Sequence, residues 1–244
     1  LTSDSDGNGS WQTSSLASAG NVGYGVWGDC TTNGNISGYA PTVDTNAMAL
    51  DNFGNSVSVS GNFAIVGSYA DDVGANAEQG SASIYQYIGS NWVLFQKITD
   101  ADGAAGDYFG TSVSISGNFA IVSAFADDEP SVDQGSVSIY QYDGSSWALM
   151  QKITDVTGAA YDNFGYCVSI SGNYAMVGAY HDDVGANADQ GSASIYQFDG
   201  SSWVLMQKLT DATGAATYNY GNSVSISGNN AIVGAYHEAV TPYY

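Results

Sequence analysis

One stretch constrains this chain more than any other: Asp51-Asn-Phe-Gly-Asn-Ser-Val-Ser-Val-Ser-Gly-Asn-Phe-Ala-Ile-Val-Gly67. It returns three times, opening at Phe109-Gly110, Phe164-Gly165 and Tyr220-Gly221, so the aromatic-glycine pairs lie 56, 55 and 56 residues apart. Self-similarity at a fixed period this long marks a repeat architecture, in which each unit cannot bury its apolar face alone and must lean on its neighbours. Lys97, Lys152 and Lys208 keep the same spacing, so each lysine holds one fixed place in the repeat.

Each full copy carries four strand signals. Ser56–Ser60 alternates strictly, and Gly61-Asn62 then supplies a two-residue hairpin turn with residues suited to positive φ. Phe63–Tyr69 is the second strand. The longer loop Ala70–Gly80 leads to a third, Ser81–Tyr87, and a glycine turn (Asp143-Gly144 and Asp199-Gly200 in later copies) leads to a fourth, Trp92–Thr99. The single-residue difference in repeat length falls between Asp128 and Gly135, which marks that loop as solvent-exposed. No segment has helical periodicity, and Val, Ile, Tyr, Phe and Trp fill short runs bounded by Gly, Asn, Asp and Ser. The fold class is all-β: a β-propeller of four-stranded antiparallel blades.

Three full blades span 53–99, 109–154 and 164–210, and 220–236 supplies two strands of a fourth. Val22–Trp27 and Ile36–Val43 read as two more strands immediately before the first full repeat, so they are expected to complete a four-bladed ring. Residues 1–21 form a polar arm or linker and 22–244 the propeller domain. The serines and Gly67 suit crowding near the propeller axis. Trp92, Trp147 and Trp203 are expected to pack between blades rather than to form an exposed platform.

The charge excludes several partners. Three lysines, no arginine and 24 acids give a net charge of −21, which repels nucleic-acid backbones and anionic lipid. No apolar run approaches the ~20 residues needed to span a bilayer, so membrane insertion is not expected. Cations are the natural counter-partners. Of the two cysteines, Cys167 stands where other repeats have Ser56, Ser112 and Ser223, so it reads as a small strand residue, with a disulfide to Cys30 or another chain as the alternative. The chain opens at Leu1 without a signal-peptide pattern and reads as processed or as a fragment.

The motif Phe-Gly-x-x-Val-x-Ile-Ser-Gly-Asn-x-Ala-x-Val-Gly-Ala, followed by Asp-Asp, Gly-Ser, Trp and Lys-Leu/Ile-Thr, resembles the FG-GAP repeat family over about residues 44–238. That family includes the propeller of integrin α-subunits and many secreted bacterial proteins. The resemblance implies an extracellular or cell-surface propeller used for adhesion or display. The turn between the first two strands is only Ser-Gly-Asn, so the Asp-x-Asp-x-Asp-Gly calcium loop of integrin-type copies does not carry over.

Candidate sites are few. Asp71-Asp72, Asp127-Asp128 and Asp182-Asp183 recur after the second strand, and Asp100, Asp155 and Asp211 after the fourth. The paired carboxylates either hold Ca²⁺, which takes six to eight oxygens, or cap turns by accepting from nearby N–H groups. Asp4-Ser-Asp6-Gly-Asn8-Gly9 matches the start of an EF-hand loop but has Ser15 at its twelfth position. Asn8-Gly-Ser10 and Asn35-Ile-Ser37 match the glycosylation acceptor pattern. His181 and His237 share one loop position with Ala70 and Ala126, so no catalytic constellation is expected and no enzyme activity.

The functional expectation is an extracellular structural or adhesive propeller, self-associating head to tail into a surface filament. The alternative is a glycan- or ligand-binding module on a larger surface protein.

Overall fold

The computed structural model describes residues 50–89 and 91–236, together with the backbone of six short strands among residues 1–49. Those six are β1 (Thr2–Ser3), β2 (Gly9–Ser10), β3 (Tyr24–Val26), β4 (Asp29–Cys30), β5 (Ile36–Ser37) and β6 (Pro41–Val43). β1 pairs with β2, β3 with β6 and β4 with β5, all antiparallel. Apart from these strands, the arm, the EF-hand-like match and the acceptor sequons lie outside the described residues, as does His237.

Three four-stranded antiparallel sheets follow. The first blade holds β7 (Val57–Ser60), β8 (Phe63–Ser68), β9 (Ser81–Ile88) and β10 (Asn91–Ile98). The second holds β11 (Val113–Ser116), β12 (Phe119–Ala124), β13 (Ser136–Tyr142) and β14 (Trp147–Thr154). The third holds β15 (Cys167–Ser171), β16 (Tyr174–Ala179), β17 (Ser192–Phe198) and β18 (Trp203–Leu209). β19 (Tyr220–Ser227) and β20 (Asn230–Ala235) pair as the first two strands of a fourth blade. Among the described residues no third strand lies on the outer edge of β20, and β3 and β6 pair with each other as the last two strands of a blade do. Among the described residues there is no helix, and none long and apolar enough to cross a membrane.

Local chemistry explains these elements. The first hairpin of every blade closes on a two-residue loop, Ser60 opposite Phe63 in the first. Gly61 takes φ 56° while Asn62 does not need positive φ, the requirement of a II′ turn. The glycine of each Phe-Gly pair does a different job. Gly110 sits at φ 96°, and a Cβ there would run into the Ser81 carbonyl of the preceding blade. Only glycine allows the two backbones to come so close.

The core lies between sheets rather than within one. One apolar cluster joins Ile65, Ile84 and Ile98 of the first blade to Val113, Val122 and Trp147 of the second. Another joins Ile121 and Ile139 of the second to Val168, Val177 and Trp203 of the third. The fourth strand of each blade breaks register at one place, by Phe95, Met150 and Met206. Such a bulge re-aims a side chain: Phe95 meets Tyr142 of the next blade at 5.8 Å between ring centroids.

Candidate functional site: the repeated junction between blades

Consecutive blades are joined by the same set of polar devices, built from residues at fixed places in the repeat. The first is a ladder of serines. Ser56, Ser58 and Ser60 accept through Oγ from the N–H groups of Val113, Ile115 and Gly117 at 2.9, 3.1 and 3.0 Å. Ser112, Ser114 and Ser116 do the same for Val168, Ile170 and Gly172. Ser169 and Ser171 serve Ile226 and Gly228. Those N–H groups lie on the free edge of each innermost strand, where a backbone partner is missing, and the hydroxyls satisfy them.

Cys167 takes the top rung in the third blade. Its thiol donates to the Gly221 carbonyl at 3.0 Å, and burial pushes its pKa up to about 12. It is a free thiol and a poor nucleophile, since the thiolate is the reactive form.

The second device is a glutamine. Gln96 of the first blade donates to the Trp147 carbonyl and accepts from its N–H, both at 2.9 Å. Gln151 makes the same exchange with Trp203. The indoles pack edge-on against the preceding blade, Trp147 on Phe63 at 5.3 Å and Trp203 on Phe119 at 5.2 Å. Trp147 and Trp203 are therefore packing residues between blades, as the sequence suggested, whereas Trp92 packs against the cluster of Phe53, Val66 and Tyr85 in its own blade.

The third device uses the lysines. Lys152 Nζ lies 2.8 Å from Asp100 Oδ2 of the first blade and 2.7 Å from Asp127 Oδ2 of its own. Lys208 bridges Asp155 and Asp182 at 2.8 and 2.6 Å, and Lys97 meets Asp71 at 2.7 Å. Burial works against the Lys152 and Lys208 ammonium groups, yet the paired carboxylates outweigh it and hold both above the usual lysine pKa.

The two carboxylates of each recurrent pair thus face different ways. Asp71, Asp127 and Asp182 point inward to lysine. Asp72, Asp128 and Asp183 accept from the N–H groups of Glu78, Asp133 and Asp189 at 2.8, 3.0 and 2.9 Å, closing their own loops. Calcium at a pair would have to displace the ammonium that already neutralises the first carboxylate. Among the described residues no group of three or more His, Cys, Asp or Glu converges as a metal set. The turn aspartates behave as caps: Asp143 accepts from Ser145 and Ser146, which draw its pKa down to about 2. His181 donates or accepts at Nδ1 with Asn163 Oδ1 at 2.9 Å and stacks on Tyr180 at 3.8 Å.

These junction residues lie within stretches that match a known family profile. The FG-GAP repeat profile matches residues 43–85, 92–140, 147–196 and 203–240. The chain belongs to the FG-GAP repeat family. The four matches cover most of its length, and each begins near the fourth strand of one blade and ends within the next. An FG-GAP match therefore straddles the junction: the match at 92–140 includes Gln96 and Asp100 of the first blade together with the Val113–Gly117 edge and Asp127 of the second. No curated protein sequence matches the chain.

Proposed function

We propose that this FG-GAP chain is an extracellular structural module whose copies join head to tail. In this reading the half-blade β19–β20 of one copy receives the N-terminal strands and first blade of the next. One observation carries it: among the described residues the serine ladder has no partner at either end. Val57, Val59 and Gly61 present edge N–H groups on β7 with no serine against them among the described residues, while Ser225 and Ser227 present hydroxyls on β19 with no N–H among those residues to accept from. Gln207, Met206 and Asp211 of the third blade stand where Gln96, Phe95 and Asp100 engage a following blade, and Gln207 and Met206 are exposed.

The two ends are complementary, because each is half of an interface that the molecule makes internally. β3 and β6 supply a strand pair of the kind that the outer edge of β20 lacks among the described residues. A contact between different surfaces on each copy does not satisfy itself and propagates as a filament. The acidic surface keeps such a filament soluble, and nothing in this role calls for catalysis. The FG-GAP repeats and the charge favour an extracellular or cell-surface setting.

The test is negative-stain microscopy and sedimentation of the intact chain, with and without a calcium chelator. Concentration-dependent fibres that are lost on deletion of residues 1–43, with the blades still folded by near-ultraviolet circular dichroism, support the reading. Monomers at every concentration reject it. Fibres that dissolve on chelation would add calcium to the junction, through the pairs led by Asp71, Asp127 and Asp182.

A further inference from the structure

A line of aromatic rings crosses the blades at one rim. Tyr69, Phe125, Tyr180 and Tyr236 share one place in the repeat, directly after the second strand of each blade. Tyr108 and Tyr166 flank the Phe-Gly pairs and interleave with them. Ring centroids run 5.8 Å from Tyr69 to Tyr108, 5.5 Å to Phe125, 5.8 Å to Tyr166 and 4.2 Å to Tyr180. The fourth repeat has no interleaving ring, because Asn219 and Asn222 stand on either side of its Tyr220-Gly221 pair. In its place is a notch of about 410 Å³ lined by Tyr166, Tyr180, His181, Asn219, Asn222 and Tyr236.

The polar groups of this notch are set by their surroundings. Asn163 Nδ2 donates to the carbonyls of Phe125 and Asp133, so its Oδ1 is the acceptor facing His181. His181 therefore carries its proton on Nδ1, and Nε2 is left as an acceptor. Asn219 donates to the Tyr180 carbonyl at 3.2 Å and steadies that ring. The Asn222 side-chain amide, half-buried, has no partner among the described residues. The wall thus offers aromatic faces, one imidazole acceptor and one free amide. Among the described residues it contains no carboxylate, although the chain has 24 acids, and no lysine. A site for a cation would be expected to use the carboxylates so abundant elsewhere, and a site for an anion would need a positive group.

We propose that this notch binds a neutral pyranose. The electron-rich faces of Tyr166 and Tyr180 take the C–H face of the sugar, and His181 Nε2 and the Asn222 amide take its hydroxyls. Ring faces favour positively polarised C–H edges, and a few fixed polar groups in an otherwise aromatic wall give orientation. The site differs from the other blade junctions, where the rings close the line, so one chain carries one such notch among its described residues. It stands independently of head-to-tail assembly.

The test uses the intact chain titrated with glucose, galactose, mannose and N-acetylglucosamine, followed by saturation-transfer NMR. Two variants probe the wall without threatening the fold: His181→Ala installs what Ala70 and Ala126 are in the first two repeats, and Asn222→Thr copies Thr111. At least one sugar should bind saturably with Kd on the order of 1 mM, and each variant should weaken it at least about fivefold. Absence of saturable binding up to about 50 mM of every sugar overturns the proposal. So does either variant binding with the parent's affinity, or tetramethylammonium binding where the sugars do not.

Discussion

The second blade and the first and fourth repeats have nearly the same sequence and very different surroundings. Val113 and Ile115 of β11 are 5% and 4% exposed, whereas Val57 and Val59, at the same register of β7, are each 62% exposed. Ile121 of β12 is fully buried, and its counterpart Ile232 of β20 is 70% exposed. The hairpins form in all cases, since alternation and a Gly-Asn turn suffice for that. Burial comes from the neighbour. In a quasi-one-dimensional array stability is a sum of unit and interface terms, and here the interface term dominates what is buried.

The strongest way to break that contrast is at the lysine. Lys152→Met would leave Asp100 and Asp127, both nearly buried, facing each other without the ammonium between them. Removing one partner of a buried ion pair typically costs about 3–5 kcal/mol, and the low end is expected because Lys152 retains some solvent. Denaturant unfolding measures it, and a loss under about 1 kcal/mol would place the clamp among ordinary surface pairs. Next comes Ile121→Ala, expected to cost about 2–5 kcal/mol through the cavity it leaves. Ile232→Ala should cost less than about 0.5 kcal/mol in the isolated chain. Equal losses would mean that the fourth blade is covered after all. Smaller again is the serine ladder: Ser114→Ala orphans the Ile170 N–H and should cost about 1–2 kcal/mol. Ser225→Ala at the open end should leave the stability of the monomer unchanged and weaken only assembly.

The contrast also shows what the sequence made readable. Within the repeats, strand number and register were legible within a residue or two because period-two alternation and turn glycines are local signals, and a 56-residue period repeats them. Before the repeats that support is missing: Ile36–Val43 is not one strand but β5 and β6, and β4 lies in what read as a loop. The packing role of Trp147 and Trp203 followed from their register. The partners of the carboxylates did not follow, since Lys152 reaches Asp100 across 52 residues and Asp127 across 25. A signal existed: the three lysines and both sets of aspartates share one period, and so few cations in so acidic a chain are best spent between acids. The serines were read as small residues suited to a crowded axis. Their role as acceptors for the next blade needs the three-dimensional offset between blades, which no local pattern encodes. His181 looked like a variant of Ala70, because the Asn222 that shares its notch lies 41 residues away.

The smallest expected effect sharpens the contrast through pH. Asp107 and Asp162, just before the Phe-Gly pairs that open the second and third blades, accept from Ala104 and Ala159 N–H at 2.6 Å. Burial raises both to a pKa of about 6, partly offset by those hydrogen bonds. The fourth repeat has Tyr218 at this place and contributes nothing of the kind. A carboxyl raised above its unfolded value of roughly 3.9 binds more protons in the folded state, so it stabilises on acidification and loses that contribution as pH rises through 6. Asp155 acts in the opposite sense. Lys208 and Thr157 hold its pKa low against burial, and its contribution is lost only as pH falls below the ordinary carboxylate range. Between pH 7 and pH 5 the raised pair therefore decides the sign, and the melting temperature should rise by roughly 2–4 °C. The double variant Asp107→Asn, Asp162→Asn keeps an acceptor for each N–H and should flatten most of that rise in a thermal melt. If the double variant climbs as steeply as the parent, the cause is general relief of the −21 net charge, acting on end and internal blades alike, and the two buried junction carboxyls are not responsible.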